Sequence, residues 1–178
     1  MGPIHDAELA RISEQVRFPM HADKSFRRKK RARYKKILLA LDFHQDNEEV
    51  VSRGIELAKD HGADVFLIHV NEPMAAAYGL DTAAWSAQIV DVEVAIRKEA
   101  QAKMAEIAKS LSVPAERCVI REGRPAHEIH EIAKENDIDC IVLGTHGQAG
   151  IQLLLGSTAN GVLHGVSCDV LTVRVGKA

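Results

Sequence analysis

From about residue 34 onward, apolar residues recur in two alternating rhythms. Short runs at 37–41, 65–70, 117–121, 139–143 and 170–175 are dense in Ile, Val and Leu, as expected of strands buried on both faces. Between them, the segments 46–60, up to about 111, 126–135 and 157–165 space their apolar residues three and four apart, which predicts amphipathic helices. In 46–60 the expected inner face is Val51, Ile55 and Ala58, with Gly62 as the stop. The helix ending near 111 keeps its period through Met104, Ile107, Ala108 and Leu111. Strand and helix repeated in this way predict right-handed crossovers and an α/β, doubly wound parallel sheet. Ligands of such sheets lie beyond the C-terminal ends of strands, where the strand order changes direction. Asp42, Val70, Leu143 and Gly144 fall at such ends.

Two segments stand outside this rhythm. Residues 1–33 form an N-terminal extension in which Ile4, Leu9, Ile12 and Val16 predict a short amphipathic helix, followed by a basic run at 27–33. The extension is expected to be mobile, and the folded domain to occupy 34–178. The connection 71–88, with Pro73, Tyr78, Gly79 and Trp85, is long for a compact domain; such loops serve as lids or mobile segments.

The chemistry concentrates after residue 140. An apolar strand runs into Gly144-Thr-His146-Gly147, and Gly156-Ser157-Thr158 then opens a helix. Glycines at such a junction let a ligand approach the backbone, and the helix start adds unpaired N–H groups and the positive end of its dipole. A phosphate suits such a place. Neither Gly-x-x-x-x-Gly-Lys-Ser/Thr nor a post-strand Gly-x-Gly-x-x-Gly occurs.

The arrangement Gly144-x-x-Gly147, eight residues, then Gly156-Ser157 resembles the universal stress protein family in its nucleotide-binding form. The likeness covers roughly 35–175. It includes the strand from Lys36 that ends in Asp42, Leu67-Ile-His-Val70, Gly123-Arg-Pro125, and the segment from Cys168 to Arg174. The resemblance implies a five-stranded parallel sheet of order 3-2-1-4-5 with helices on both faces. It also implies a bound adenine nucleotide, ATP or AMP, with Mg2+ accompanying ATP. Ala40 and Leu41 would line the base, Asp42 would hold the nucleoside, and Val70 would belong to the same binding site. Gly144 and Gly147 would let the chain pass close to the ribose and phosphates, with Leu143 and His146 among the nucleotide-binding residues beside them. Gly156, Ser157 and Thr158 would offer N–H and hydroxyl groups to phosphate oxygens. Family members pair through the last strand, here 170–175, which implies a homodimer.

Composition narrows the remaining possibilities. The 178 residues are 46% hydrophobic and 27% charged, an ordinary globular balance, and only 4% aromatic. Cys118, Cys140 and Cys168 lack metal-ligand spacing and lie in or beside apolar runs, as buried reduced thiols do. With no bilayer-length apolar run or signal pattern, the expected location is the cytoplasm. Residues 24–36 hold nine Lys or Arg and no acid; against a net charge of −2, the rest of the chain carries −11. That block could meet nucleic acid or anionic lipid, but a solvated tail is the preferred reading.

Each candidate also has an ordinary structural reading. Asp42 could be a turn acid, Gly144 a tight turn, Ser157 an N-cap and His146 an exposed loop residue. His127 and His130, three apart on one helix, could share a metal, although Glu128 and Glu131 beside them fit a solvated face. No nucleophile–base motif occurs, and no lysine or acid lies between Gly144 and Asn160 for phosphoryl transfer. The expected function is therefore regulatory: an adenine-nucleotide-binding stress-response protein whose occupancy is read by a protein partner or a second copy. The alternative is a slow ATP-hydrolysing or adenylate-forming enzyme, with Glu72 or Asp81 brought in by the long connection.

Overall fold

The computed structural model describes residues 34–43, 47–73, 87–146 and 156–175. The elements follow as β1 (Lys36–Leu41), α1 (Asn47–His61), β2 (Asp64–Asn71), α2 (Ala87–Leu111), a 3-10 turn (Ala115–Arg117), β3 (Cys118–Glu122), α3 (Pro125–Glu135), β4 (Cys140–His146), α4 (Ser157–Leu163) and β5 (Asp169–Val175). The expected N-terminal helix at 4–16, the basic run at 27–33, most of the long connection and Gly147 lie outside the described residues.

All five strands are parallel, in the order β3-β2-β1-β4-β5. This is the expected doubly wound sheet. Side-chain alternation sends Ile37, Leu39 and Leu41 of β1 to one face, where Val50 and Ala58 of α1 and Met104 and Ala108 of α2 cover them. Leu38 goes to the other face, with Ile129 and Ile132 of α3 and Ala159 and Val162 of α4. Fully burying each such aliphatic side chain contributes about 1.5–3 kcal/mol, so the central strands carry much of the stability.

The helix α1 turns a different stripe inward from the one its large apolar residues predict. Val50, Gly54 and Ala58 are buried, four apart, while Val51 and Ile55 are half-buried on the flank. The reason is Gly54: without a side chain, it lets Leu39 press against the helix backbone. Gly62 ends this helix with φ +63, the left-handed stop that glycine adopts without strain.

The strand β4 also departs from expectation. It continues past Leu143 to His146, so Gly144 lies within the strand, paired with Val173, not in a turn. Strand β5 runs alongside as far as Val175 and supplies the hydrogen bonds that prolong it. A Cβ at Gly144 would meet Val175 Cγ1 and Val50 Cγ2, each at 3.2 Å; the glycine lets helix and sheet close there. At the following helix, Gly156 is the N-cap and Ser157 the first helical residue, one step earlier than the Ser157 cap reading. Helix α4 stops at Leu163, before Gly165.

At the opposite end of the sheet, Asp139 fastens three strands. Its Oδ2 accepts the N–H groups of Lys35 at 2.6 Å and Lys36 at 2.9 Å. Its own N–H donates to Lys36 O, and its carbonyl accepts from Asp169 N. The Lys35 N–H bond is the main reason its carboxyl is held below the usual carboxylate range.

Candidate functional site

The strand order reverses between β1 and β4, since the chain passes from β1 outward through β2 to β3 and then returns to β4 on the other flank. At that point the two strands part. Their pairing ends at Ala40 opposite Leu143, whereas β4 keeps pairing with β5 through Thr145–Arg174 and His146–Val175. The C-terminal end of β1, with Asp42 directly after Leu41, therefore stands beside a longer β4 that it no longer touches by backbone bonds. An opening of this kind is where ligands of doubly wound sheets bind.

Several of the expected site residues converge on one face. Ala40, Val70 and Leu143 all pack into the layer under α3 and α4, and the two-residue alternation continues from Ala40 to half-buried Asp42. The start of α4 belongs to that same layer: Gly156 and Thr158 are half-buried, Ser157 is exposed and Ala159 is buried against the sheet. Asn160 N donates back to Gly156 O at 2.9 Å, and no side chain caps the helix, which leaves the first-turn amides without an intrahelical acceptor. Leu41 differs, being buried on the α1 and α2 side. The side chain of His146 and all of Gly147 fall outside the described residues.

The profile of the universal stress protein family matches residues 33–174. The chain belongs to that family. Universal stress protein A homolog 2 of Coxiella burnetii (strain RSA 493 / Nine Mile phase I) is 42% identical over 146 residues, spanning 80% of this chain and 96% of that protein. Among solved structures, the universal stress protein UspA from Lactobacillus plantarum superposes with a TM-score of 0.67 at 26% identity, covering 80% of this chain and 99% of the other. A universal stress protein solved in complex with cAMP shares the fold at a TM-score of 0.51 and 23% identity, over 80% of this chain and 98% of that one.

In this universal stress protein, His130 and His127 do not act together. His130 Nε2 lies 2.9 Å from Val162 O and ties α3 to the end of α4, while His127 sits exposed beside Glu128. Among the described residues no group of three His, Cys, Asp or Glu could hold a metal ion, and no helix is long and apolar enough to cross a membrane.

One further polar group stands at this end of the sheet. His69, the register partner of Leu41 on β2, places Nδ1 2.7 Å from Leu41 O and Nε2 3.0 Å from Asn71 Oδ1. Its ring stacks on Phe43 with centroids 4.0 Å apart and planes at 25°. Phe43 reaches it by adopting φ +60, a left-handed conformation uncommon outside glycine. The only signal in the sequence is a histidine interrupting an apolar strand just before its end.

Proposed function

We propose that this universal stress protein binds an adenine nucleotide, ATP or AMP, where β1 and β4 separate. The parting of those strands, with Asp42 on one lip and the uncapped start of α4 in the layer beside the other, carries the reading. Ala40 and Val70 would meet the base by apolar contact and Leu41 through its backbone, and Asp42 would accept hydrogen bonds from the ribose hydroxyls. Leu143, Gly144, His146 and Gly147 would border the ribose and phosphates. Backbone amides and hydroxyls of Gly156, Ser157 and Thr158 would face the phosphate oxygens, as helix starts do, with Mg2+ accompanying ATP. This donor set suits a phosphate: it is neutral, rich in N–H groups and placed at a dipole's positive end. It supplies little for bond cleavage, so the function is nucleotide-controlled regulation.

Occupancy would be read at a surface. Strand β5 is a sheet edge, and its Leu171 is 38% exposed; an apolar, unpaired edge favours association with a second copy. A further regulatory protein partner is part of the same reading. The site of action is the cytoplasm.

The test is ligand-linked stability. Millimolar ATP or AMP, with and without Mg2+, should raise the melting temperature of the wild type and not of Asp42→Ala. No shift with either nucleotide, together with no nucleotide found by mass spectrometry of the purified protein, would overturn the reading. Phosphate release above background and dependent on Asp42 would favour the enzyme alternative.

A further inference from the structure

His69 grips the chain on both sides of Asp42. Ahead of it, Nδ1 meets the carbonyl of Leu41, which belongs to the peptide plane that carries the Asp42 N–H. Behind it, the Phe43 ring stacks on the imidazole. A carbonyl only accepts, so Nδ1 must bear the proton.

The other ring nitrogen is set by Asn71. As oriented, Asn71 offers Oδ1 to Nε2 while its buried Nδ2 has no partner. Two acceptors facing both ring nitrogens would require an imidazolium and would strand Nδ2. Turning the amide over removes the need for that charge: Nδ2 then donates to an unprotonated Nε2, and the buried atom left over is an acceptor oxygen in place of an N–H donor. Which end of an amide is nitrogen is assigned from its bonding partners, and a buried N–H without a partner is rarer than a buried carbonyl oxygen without one. The consistent state is a neutral His69 protonated at Nδ1 and held there by Asn71. Asn71 is itself anchored, since its carbonyl accepts Gly123 N at 3.1 Å.

We infer that His69 is a positioning residue of the nucleotide site: locked by Asn71 as the Nδ1–H tautomer, it orients the Leu41–Asp42 peptide and the Phe43 turn, and so aims Asp42 at the ligand. The inference rests on the nucleotide reading and deepens it. It requires one specific proton location, which a residue that only fills space would not.

Two measurements on the full chain test it. Long-range 1H–15N spectra of the imidazole rings, with the His69 peaks identified by their loss in His69→Asn, should show His69 as the Nδ1–H tautomer; an Nε2–H tautomer overturns the inference. ATP affinity, measured by calorimetry, should fall about tenfold or more in His69→Phe, which keeps a ring but has no donor. It should stay within about threefold of wild type in His69→Asn, whose amide nitrogen can reach the Leu41 carbonyl as Nδ1 does. Wild-type affinity in His69→Phe, or equal losses in both variants, overturns it. If the wild type binds no ATP, the nucleotide reading fails, and the tautomer measurement still decides whether the lock exists.

Discussion

Leu39 fills the space in which any other residue at position 54 would carry its Cβ: an atom built there would lie 2.5 Å from Leu39 Cδ2 and 2.8 Å from Cγ. Leu39 is fully buried in the central strand, so it cannot swing away without disturbing the core. Overpacking of this kind costs about 1–3 kcal/mol, while replacing a mid-helix glycine by alanine returns about 1 kcal/mol. Gly54→Ala should therefore destabilise the protein by up to about 2 kcal/mol, a net of those two effects. Urea denaturation measures it, and a stabilised variant would show that α1 can lift off the sheet freely.

A second close approach joins α3 to α4. A Cβ on Gly161 would come within 2.7 Å of Ala126 Cβ, an atom fixed to the backbone. Gly161→Ala should thus destabilise, and adding Ala126→Gly should recover part of the loss even though glycine is the poorer helix former. The double-mutant cycle reads the coupling, expected at about 0.5–3 kcal/mol for side chains in direct contact. Additive effects would mean that the two helices are not held at this distance.

Asp139 gives the fold an acid-sensitive fastening. Its carboxyl is held below the ordinary value, first by the Lys35 N–H. A depressed folded-state pKa contributes stability that is fully present above the unfolded pKa and is lost as pH falls through the folded value. Denaturation midpoints measured between pH 7 and pH 3 should fall for the wild type at the acid end. Asp139→Asn should start lower and lose less across the same range. Parallel curves for the two proteins would remove Asp139 from the acid response.

The regions legible in the sequence were those where one residue type serves one purpose. The five Ile, Val and Leu runs became the five strands because a parallel sheet covered on both faces needs apolar residues at every position. Except at the end of β4, which runs on to His146, their limits shifted by a residue or so, as with β3, which begins at Cys118 after Arg117 is drawn into a 3-10 turn and paired with Asp64 at 2.8 Å. Glycine hid the rest. Gly54 carries no apolar signal yet marks the inner face of α1, and Gly144 looks like a loop residue yet sits in a strand under Val50. The position of Asp42 directly after β1 was visible. Its support was not, because nothing near His69 in the chain points to a carbonyl 28 residues upstream.

The thiols should report the core. Cys140 is 2% exposed, and burial, its largest cause, pushes its thiol up to about 11; Cys118 and Cys168 are half-buried and raised as well, chiefly by burial. Only the thiolate reacts appreciably. At pH 8 a disulfide-exchange reagent should label Cys140 no faster than the protein unfolds, and promptly in denaturant. Mass mapping of the labelled peptides distinguishes the three sites; rapid native labelling of Cys140 would contradict its burial.

Association through the last strand has its own signature. Leu171→Lys places a charge on the exposed edge of β5 and should leave melting of the monomer within about 0.5 kcal/mol, as surface changes usually do. If copies pair there, sedimentation should show the wild type as a dimer and the variant shifted to monomer. A variant dimer as tight as the wild type would place any self-association elsewhere.

The first of the described strands to be synthesised is the middle one of the finished sheet. Its amides at Lys35 and Lys36 wait for Asp139, which lies 103 residues beyond Lys36, and one of its flanks has no neighbour until β4 exists. During translation, then, the nascent chain emerges with its most apolar ribbon half-clothed, and only the last third closes the seam. A polypeptide cut short before residue 140 is left with open hydrogen bonds along its centre, where chaperones and proteases bind.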